Sequence, residues 1–422
     1  MREISEFAKK LSIGSGIGEL MQDLGKGLED ARRTGKEISM LGGGNPAHIP
    51  EMDEIFLERW KDLGNDPETI ASLLGDYSSP QGSDEFREVL AESLSTKLNY
   101  KLTKDHIAIT QGSQTAFFLL FNSFSGKMAG SGNFKKILLP LVPEYIGYTD
   151  QGIHQGIFES IPPLVQELEG NRFVYLPDLG RIEESILSGE FGAVCLSRPT
   201  NPSGNVMDSK DVEKIYQLCR SQEIPLLIDN AYGYPFPNIL FKESDSSWKP
   251  GLIYLLSLSK LGLPGTRTGI VVANPKIASL IGEMSAVLNL AGGNLGSAMV
   301  MNWVKSGEIY RISNDIIKPF YAEQSRIAQT LIDESWKEIL DYRIHKNLGA
   351  LFLWIRFPGH KKNSRQIYEE AKEKGVFVIA GDNFFPGLKE NFSHQKECIR
   401  LTYSRNLSEL NRGIEILTKI LS

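Results

Sequence analysis

Between Lys104 and Ala273 the chain alternates short β-rich apolar runs with longer helical patterns, which confines it to a mostly parallel sheet covered by helices. The runs are His106–Thr110, Lys136–Pro140, Ala193–Ser197, Pro225–Asp229, Ile253–Ser257 and Gly269–Ala273. In open sheets of this kind ligands collect beyond the carboxyl ends of the strands, so the residues closing each run are the first candidates for a site. Beyond residue 300 a long helical stretch precedes short runs at Ala350–Phe357, Val376–Ala380 and Cys398–Tyr403, which predicts a separate α+β unit. At 422 residues the chain suits two cores. The expected division is 1–48 as an N-terminal arm with part of the small domain, 49–300 as the large domain and 301–422 as the small C-terminal domain.

Charge and cysteine usage exclude several classes. A net charge of -6 opposes non-specific nucleic-acid binding, which needs clustered Lys and Arg. No segment approaches the roughly 20 apolar residues of a membrane helix, and the N-terminus mixes Arg2, Glu3, Glu6, Lys9 and Lys10 without an apolar stretch. The three cysteines, Cys195, Cys219 and Cys398, are dispersed and odd in number, which fits a reducing, cytoplasmic setting and lacks metal-ligand spacing. The six histidines form no HExxH and read as structural or surface residues, so no metal is expected. Small molecules are the expected partners, with neither nucleic acid nor membrane.

Four strings at run ends carry chemistry. In Ser257-Leu258-Ser259-Lys260, followed by Gly262, Pro264-Gly265 and Arg267, a lysine follows a buried strand. Burial or cationic neighbours would bring its pKa from about 10.4 toward 7–8, as imine chemistry requires. Ser257 and Arg267 suit an anionic phosphate. A surface lysine beside a flexible turn would give the same string. In Thr110-Gln111-Gly112-Ser113-Gln114-Thr115 a run meets a helix, whose free N–H groups and Ser113 hydroxyl suit a phosphate, or Ser113 is simply a cap. In Leu226-Leu227-Ile228-Asp229-Asn230-Ala231-Tyr232 an apolar strand ends in a carboxylate. Pyridoxal 5'-phosphate acts as an electron sink when its pyridine nitrogen is protonated, which a buried Asp229 would favour, with Tyr232 reaching the phenolic oxygen. A helix cap is the competing role.

The fourth string, Ser197-Arg198-Pro199-Thr200-Asn201-Pro202-Ser203-Gly204, is either a tight turn or the means of aiming the Asn201 amide at that oxygen and at a substrate carboxylate. Arg400, inside the apolar run Cys398-Ile399-Arg400-Leu401, needs an anion because an unpaired buried guanidinium costs several kcal/mol. A substrate carboxylate or an internal salt bridge would satisfy it.

The joint order of phosphate turn, asparagine turn, aspartate strand, lysine strand and late arginine resembles the fold-type I pyridoxal-phosphate enzymes, the aspartate aminotransferase superfamily, across nearly the whole chain. That resemblance implies an α/β fold with a large domain built on a mostly parallel seven-stranded sheet and a smaller α+β domain. It makes Lys260 the Schiff-base lysine and proton shuttle, Asp229 the partner of the ring nitrogen, and Asn201 and Tyr232 the partners of the phenolic oxygen. Gly112, Ser113, Gln114, Ser257 and Arg267 hold the phosphate, Tyr145 stacks on the ring and Arg400 grips the substrate carboxylate. Tyr77, in Asp76-Tyr77-Ser78-Ser79-Pro80-Gln81-Gly82, reaches the phosphate of a neighbouring subunit, which implies a homodimer. One departure is the seven-residue spacing from Lys260 to Arg267, where many members have eight, so the turn is expected to be tighter.

Leu41-Gly42-Gly43-Gly44-Asn45-Pro46-Ala47, Pro143-Glu144-Tyr145-Ile146-Gly147-Tyr148, Ser259-Lys260-Leu261-Gly262-Leu263-Pro264-Gly265 and Gly381-Asp382-Asn383-Phe384-Phe385-Pro386-Gly387 resemble one branch of that superfamily. It exchanges the amino group between L-valine with pyruvate and 3-methyl-2-oxobutanoate with L-alanine, so the implied partners are small amino acids and 2-oxo acids. Gly44 is expected at the substrate, where a side chain would crowd the site. Other neutral amino acids, or β-elimination on the same cofactor, are the alternatives. A cofactor-sensing regulator would need a DNA-binding segment, and about 40 residues precede Gly42. The glycines and position of Ile13–Gly18 suggest a cover over the site.

Overall fold

A computed structural model describes residues 3–422 except 13–17, 19–21, 24, 28, 30–32, 34, 36 and 245, so most of the Ile13–Gly18 stretch lies outside the described residues. The described residues form two sheets. The first contains β1 (Ile107–Gln111), β2 (Gly126–Lys127), β3 (Phe134–Leu139), β4 (Phe158–Ser160), β7 (Phe191–Ser197), β8 (Leu226–Asp229), β9 (Leu252–Ser257) and β10 (Thr268–Val272). Its order is β1-β10-β9-β8-β7-β3, with β2 and β4 both on the far edge of β3. The pairs β3/β7, β7/β8 and β8/β9 are parallel, whereas β10 runs antiparallel to both its neighbours. The sheet has eight strands where seven were expected, because the two-residue β2 makes a short hairpin with β3. Strands β8 and β9 are buried along their whole length, as expected of near-continuous apolar runs covered on both faces.

The second sheet has the order β13-β14-β12-β11-β6-β5. Its strands are β5 (Leu164–Leu168), β6 (Arg172–Leu176), β11 (Arg343–His345), β12 (Phe352–Arg356), β13 (Ile379–Ala380) and β14 (Cys398–Thr402). The β5–β6 hairpin was absent from the expected list of runs. It falls within residues 49–300, yet β6 pairs with β11, so sheet membership does not follow a division at residue 300. Near the N-terminus Ser39 bridges Val376, and Thr402 N–H donates to Leu41 O at 2.7 Å, which brings residues 39–42 alongside the second sheet. No helix among the described residues is long and apolar enough to cross a membrane.

Beside β6 a buried polar cluster closes the second core. Trp354 Nε1 donates to Tyr175 OH at 2.9 Å, Tyr175 OH lies 2.7 Å from His394 Nδ1, and Tyr175 N–H donates to His345 Nε2 at 3.1 Å. Burial lowers both imidazoles from their ordinary 6.5 to about 3, with Arg356 adding to the effect at His394. Between these values the unfolded chain binds more protons than the folded one, so stability falls with falling pH. Equilibrium unfolding should therefore show a loss that sets in below about pH 6.5 and approaches roughly 1.4 kcal/mol per pH unit for each histidine. His394→Gln should flatten the slope; an unchanged slope would show that this histidine is not held neutral.

Candidate active site

The carboxyl ends of β7, β8 and β9 and the start of the helix Gly112–Phe124 open onto a cavity of about 280 Å³. It is lined by Gly42, Gly44, Ser113, Gln114, Tyr145, Ser197, Asn201, Asp229, Tyr232, Ser257, Lys260, Arg267 and Arg400, among others. The four strings separated along the sequence thus meet at one place. Tyr77 does not reach it: the side chain is 83% exposed and borders a separate depression with Arg59, Asp76 and Asn294.

Lys260 sits in the short 3-10 turn Leu258–Leu261 directly after β9. Its Nζ donates to Gly44 O at 2.6 Å and lies 5.3 Å from the centre of the Tyr232 ring. Burial first, then the positive charges of Arg400 and Arg267, lower its pKa to about 8, with Asp229 opposing the change. A neutral amine is therefore accessible near neutral pH, as imine chemistry demands. Gly44 lines the cavity, the position at which a side chain is expected to crowd a substrate. Within the chain itself a Cβ there would stand 3.9 Å from Lys260 Nζ, an ordinary contact, and the Gly44 carbonyl accepts from that lysine. Gly42 is the confined position, because a Cβ there would come within 3.0 Å of Val378 O and Ile379 Cδ1.

Asp229 closes β8 in register with Ser197 of β7. Its Oδ1 accepts from Ala231 N–H at 2.9 Å and its Oδ2 from Tyr148 OH at 2.7 Å. Burial raises the carboxyl above its usual range, while these hydrogen bonds and Lys260 favour the anion. A cationic ring nitrogen would be the natural complement of such a carboxylate. Behind it, Ser197 N–H donates to Glu144 Oε1 at 2.8 Å, Ser197 Oγ contacts Glu144 Oε2, and Tyr148 OH lies 3.2 Å from Ser197 Oγ. Glu144, Tyr148 and Ser197 were not singled out as site residues. Signals in the sequence point to two of them: the three-residue spacing of Tyr145 and Tyr148, and the position of Ser197 at the end of its run.

Arg400, 3% exposed in β14, donates through Nη1 to Asn201 Oδ1 at 2.8 Å and through Nη2 to Gly42 O at 2.6 Å. Its Nε is buried without a partner, and no carboxylate pairs with it among the described residues, which removes the internal salt bridge as an explanation. The rings of Phe352 and Phe384 flank the guanidinium at 4.1 and 5.2 Å. Burial lowers its pKa to about 10, which leaves it charged at neutral pH. A buried cation with an idle N–H is arranged for an incoming anion.

The short spacing from Lys260 to Arg267 is absorbed by backbone. Arg267 itself takes a left-handed conformation, φ 47° and ψ 56°, uncommon for a residue with a side chain. Its guanidinium then lies over Gly112, where a Cβ would stand 2.2 Å from Nη2. The guanidinium's one hydrogen bond among the described residues is a long one from Nη1 to Pro264 O at 3.4 Å. Arg267, the hydroxyls of Ser113 and Ser257, and the N-terminus of the helix Gly112–Phe124 form a donor set without a carboxylate. That set fits a phosphate, and with Lys260 and Asp229 on the same cavity it fits pyridoxal 5'-phosphate.

Residues 167–417 match the family described as aminotransferase class I and II. The chain is 41% identical to the valine–pyruvate aminotransferase of Escherichia coli K12, over 98% of this chain and 97% of that one. It superposes on the crystal structure of valine–pyruvate aminotransferase AvtA from Salmonella typhimurium LT2 with a TM-score of 0.86 at 38% identity, covering 96% of this chain and 98% of that one. A solved structure from Psychrobacter arcticum 273-4 matches with a TM-score of 0.96 at 37% identity, covering 100% of this chain and 98% of that one.

Gly112→Ala should force the Arg267 guanidinium off the helix start and strain a residue whose φ is +77°. Losing a charge-assisted contact of about 1.5–3 kcal/mol should weaken pyridoxal 5'-phosphate binding by roughly 10- to 100-fold, read by equilibrium titration. Unchanged affinity would remove Arg267 from the cradle.

Proposed function

This chain belongs to the class I and II aminotransferases, which work with pyridoxal 5'-phosphate, and from that premise we propose that it exchanges the amino group between L-valine with pyruvate and 3-methyl-2-oxobutanoate with L-alanine. The observation that carries the reading is Arg400, a buried guanidinium with an unsatisfied Nε and no carboxylate of its own, at the same cavity as Lys260. The α-carboxylate common to both amino acids and both 2-oxo acids is the anion it would grip. Besides Lys260, the cations lining the cavity from this chain are Arg267 and Arg400. Once Arg267 faces the phosphate and Arg400 the α-carboxylate, no third guanidinium lines the cavity among the described residues, which favours a neutral amino acid.

When bound, the cofactor supplies an electron sink for charge released at the substrate α-carbon. Lys260 Nζ is the residue that would carry the cofactor's aldehyde carbon and, once displaced by substrate, move the α-proton. Holding that amine beside the α-carbon makes proton transfer effectively intramolecular, an arrangement worth on the order of 7–11 kcal/mol of barrier in well-oriented systems. Asp229 would keep the ring nitrogen protonated. Asn201, whose Oδ1 is engaged by Arg400, has its Nδ2 left to donate to the phenolic oxygen, and Tyr232 would donate from the other side. Tyr145 would cover one face of the ring, while Gly112, Ser113, Gln114, Ser257 and Arg267 hold the phosphate. Gly44 would meet the substrate through its backbone.

The reading includes a homodimer, supported by Tyr77, whose exposed ring is free to reach the phosphate of a second subunit. It also includes a cytoplasmic setting and a place in branched-chain amino acid and alanine synthesis; the three unpaired cysteines fit a reducing compartment.

Absorbance of the cofactor-loaded protein should change on adding L-valine and return on adding pyruvate, with 3-methyl-2-oxobutanoate and L-alanine as products. A response to alanine but not to valine would overturn the substrate pair and keep the family. Pyruvate and ammonia released from cystathionine without an amino acceptor would favour β-elimination. Lys260→Ala should abolish turnover, and near-normal transamination by that variant would sink the assignment of the lysine.

A further inference from the structure

Four side chains form a line that ends at Asp229. Glu144 Oε2 contacts Ser197 Oγ, Ser197 Oγ lies 3.2 Å from Tyr148 OH, and Tyr148 OH lies 2.7 Å from Asp229 Oδ2. All four are buried, Glu144 at 1% exposure, and no Lys, Arg or His pairs with Glu144 among the described residues. The groups facing it are Ser197, the backbone of Tyr145, the thiol of Cys195, Tyr148 and the carboxyl of Asp229.

Three oxygen–oxygen contacts need three protons, and the two hydroxyls supply two. If both carboxyls were ionised, Tyr148 would donate to Asp229 and Ser197 to Glu144. The two hydroxyl oxygens would then face each other at 3.2 Å with no hydrogen between them, and two buried carboxylates would share one desolvated region without a cation between them. We infer that Glu144 is a neutral carboxylic acid that holds the third proton and orients Ser197 and Tyr148 so that every hydroxyl in the line donates toward Asp229. On the reading that Asp229 faces the cofactor's ring nitrogen, Glu144 is a positioning residue that keeps this carboxylate ionised and correctly aimed.

The proton belongs on Glu144 rather than on Asp229 because a cation, Lys260, stands near Asp229 and none faces Glu144 among the described residues. Both Asp229 oxygens already accept, from Ala231 N–H and from Tyr148 OH, and Lys260 lies on its cavity side. Glu144 Oε1 accepts from Ser197 N–H, and a proton on Oε2 would have the Ser197 hydroxyl oxygen in contact as its acceptor, which frees the Ser197 hydrogen for Tyr148. Burial acts in the same direction, pushing the Glu144 carboxyl up to about 8, and the charge of Asp229 adds to it.

The amide of glutamine reproduces a neutral acid at this position, with its oxygen toward Ser197 N–H and its NH2 toward Ser197 Oγ. Infrared difference spectra of the cofactor-free full-length chain, wild type against Glu144→Gln at neutral pH, should show the carbonyl stretch of a protonated carboxylic acid in the wild type. A carboxylate band there would overturn the inference. Glu144→Gln should fold and bind pyridoxal 5'-phosphate within about threefold of wild type, whereas Glu144→Ala should lose on the order of tenfold in affinity. A Glu144→Gln chain that does not fold, or that binds as poorly as Glu144→Ala, equally contradicts a neutral acid. If the wild type binds no pyridoxal 5'-phosphate, the aminotransferase reading fails, while the infrared band still decides where the proton sits.

Discussion

Ser197 and Asp229 are register partners at the carboxyl ends of two adjacent parallel strands, and the hydrogen-bonded pairing of β7 with β8 sets the geometry of the cavity. Because parallel neighbours end on the same side, the residue after each strand is delivered to one rim. The turn bearing Asn201 follows β7, Tyr232 follows β8 and Lys260 follows β9, so three side chains from segments about 30 residues apart converge without a long-range loop having to find its place. Antiparallel β10 then returns the chain so that Thr268 pairs with Gln111, which sets Arg267 beside the start of the helix Gly112–Phe124.

This shared register also explains how the charges can be tolerated. Lys260 and Asp229 bias one another, the aspartate opposing the loss of the lysine's proton and the lysine favouring the carboxylate. Arg400 comes from the other sheet and approaches Asn201 across the boundary, 199 residues away in sequence. Its two satisfied N–H groups go to a side-chain amide and a backbone carbonyl, neutral acceptors that orient the guanidinium without neutralising it. A buried arginine held this way retains its full charge for an anion, which an internal carboxylate would have cancelled.

Much of this was legible in the sequence because strand ends are. Asp229, Ser257 and Lys260 close or follow apolar runs, and such runs are set by local composition. Arg400 was legible as a charge among Ile and Leu, an arrangement that is costly without a partner. The hairpin Leu164–Leu176 was not, since β5 has no buried residue and β6 alternates, so their strand character depends on pairing, β5 with β6 and β6 with β11. Glu144 was not legible either. It lies between Pro143 and Tyr145 in a loop, and nothing local distinguishes a buried acid from a solvated one. Its environment comes from Ser197, 53 residues on, and from Phe384, whose carbonyl accepts its N–H at 2.9 Å. The enclosure of Gly42 was hidden for a related reason: a triple glycine shows where backbone freedom is available, not which of the three glycines is packed against Val378 and Ile379.

The cavity's charge balance depends on that illegible residue. Among the described residues three cations, Lys260, Arg267 and Arg400, border it, and Asp229 is the carboxylate that faces it. An ionised Glu144 directly behind Asp229 would add a second negative charge in a desolvated region, where interactions between charges are far less screened than in water. It would raise the pKa of Asp229, weaken the hold on a protonated ring nitrogen and offset the attraction of Arg400 for a carboxylate. Held neutral, Glu144 supplies direction to a line of hydroxyls without supplying charge. The cavity then keeps its surplus of positive charge for the two anions that the proposed reaction brings to it, the cofactor phosphate and the substrate carboxylate.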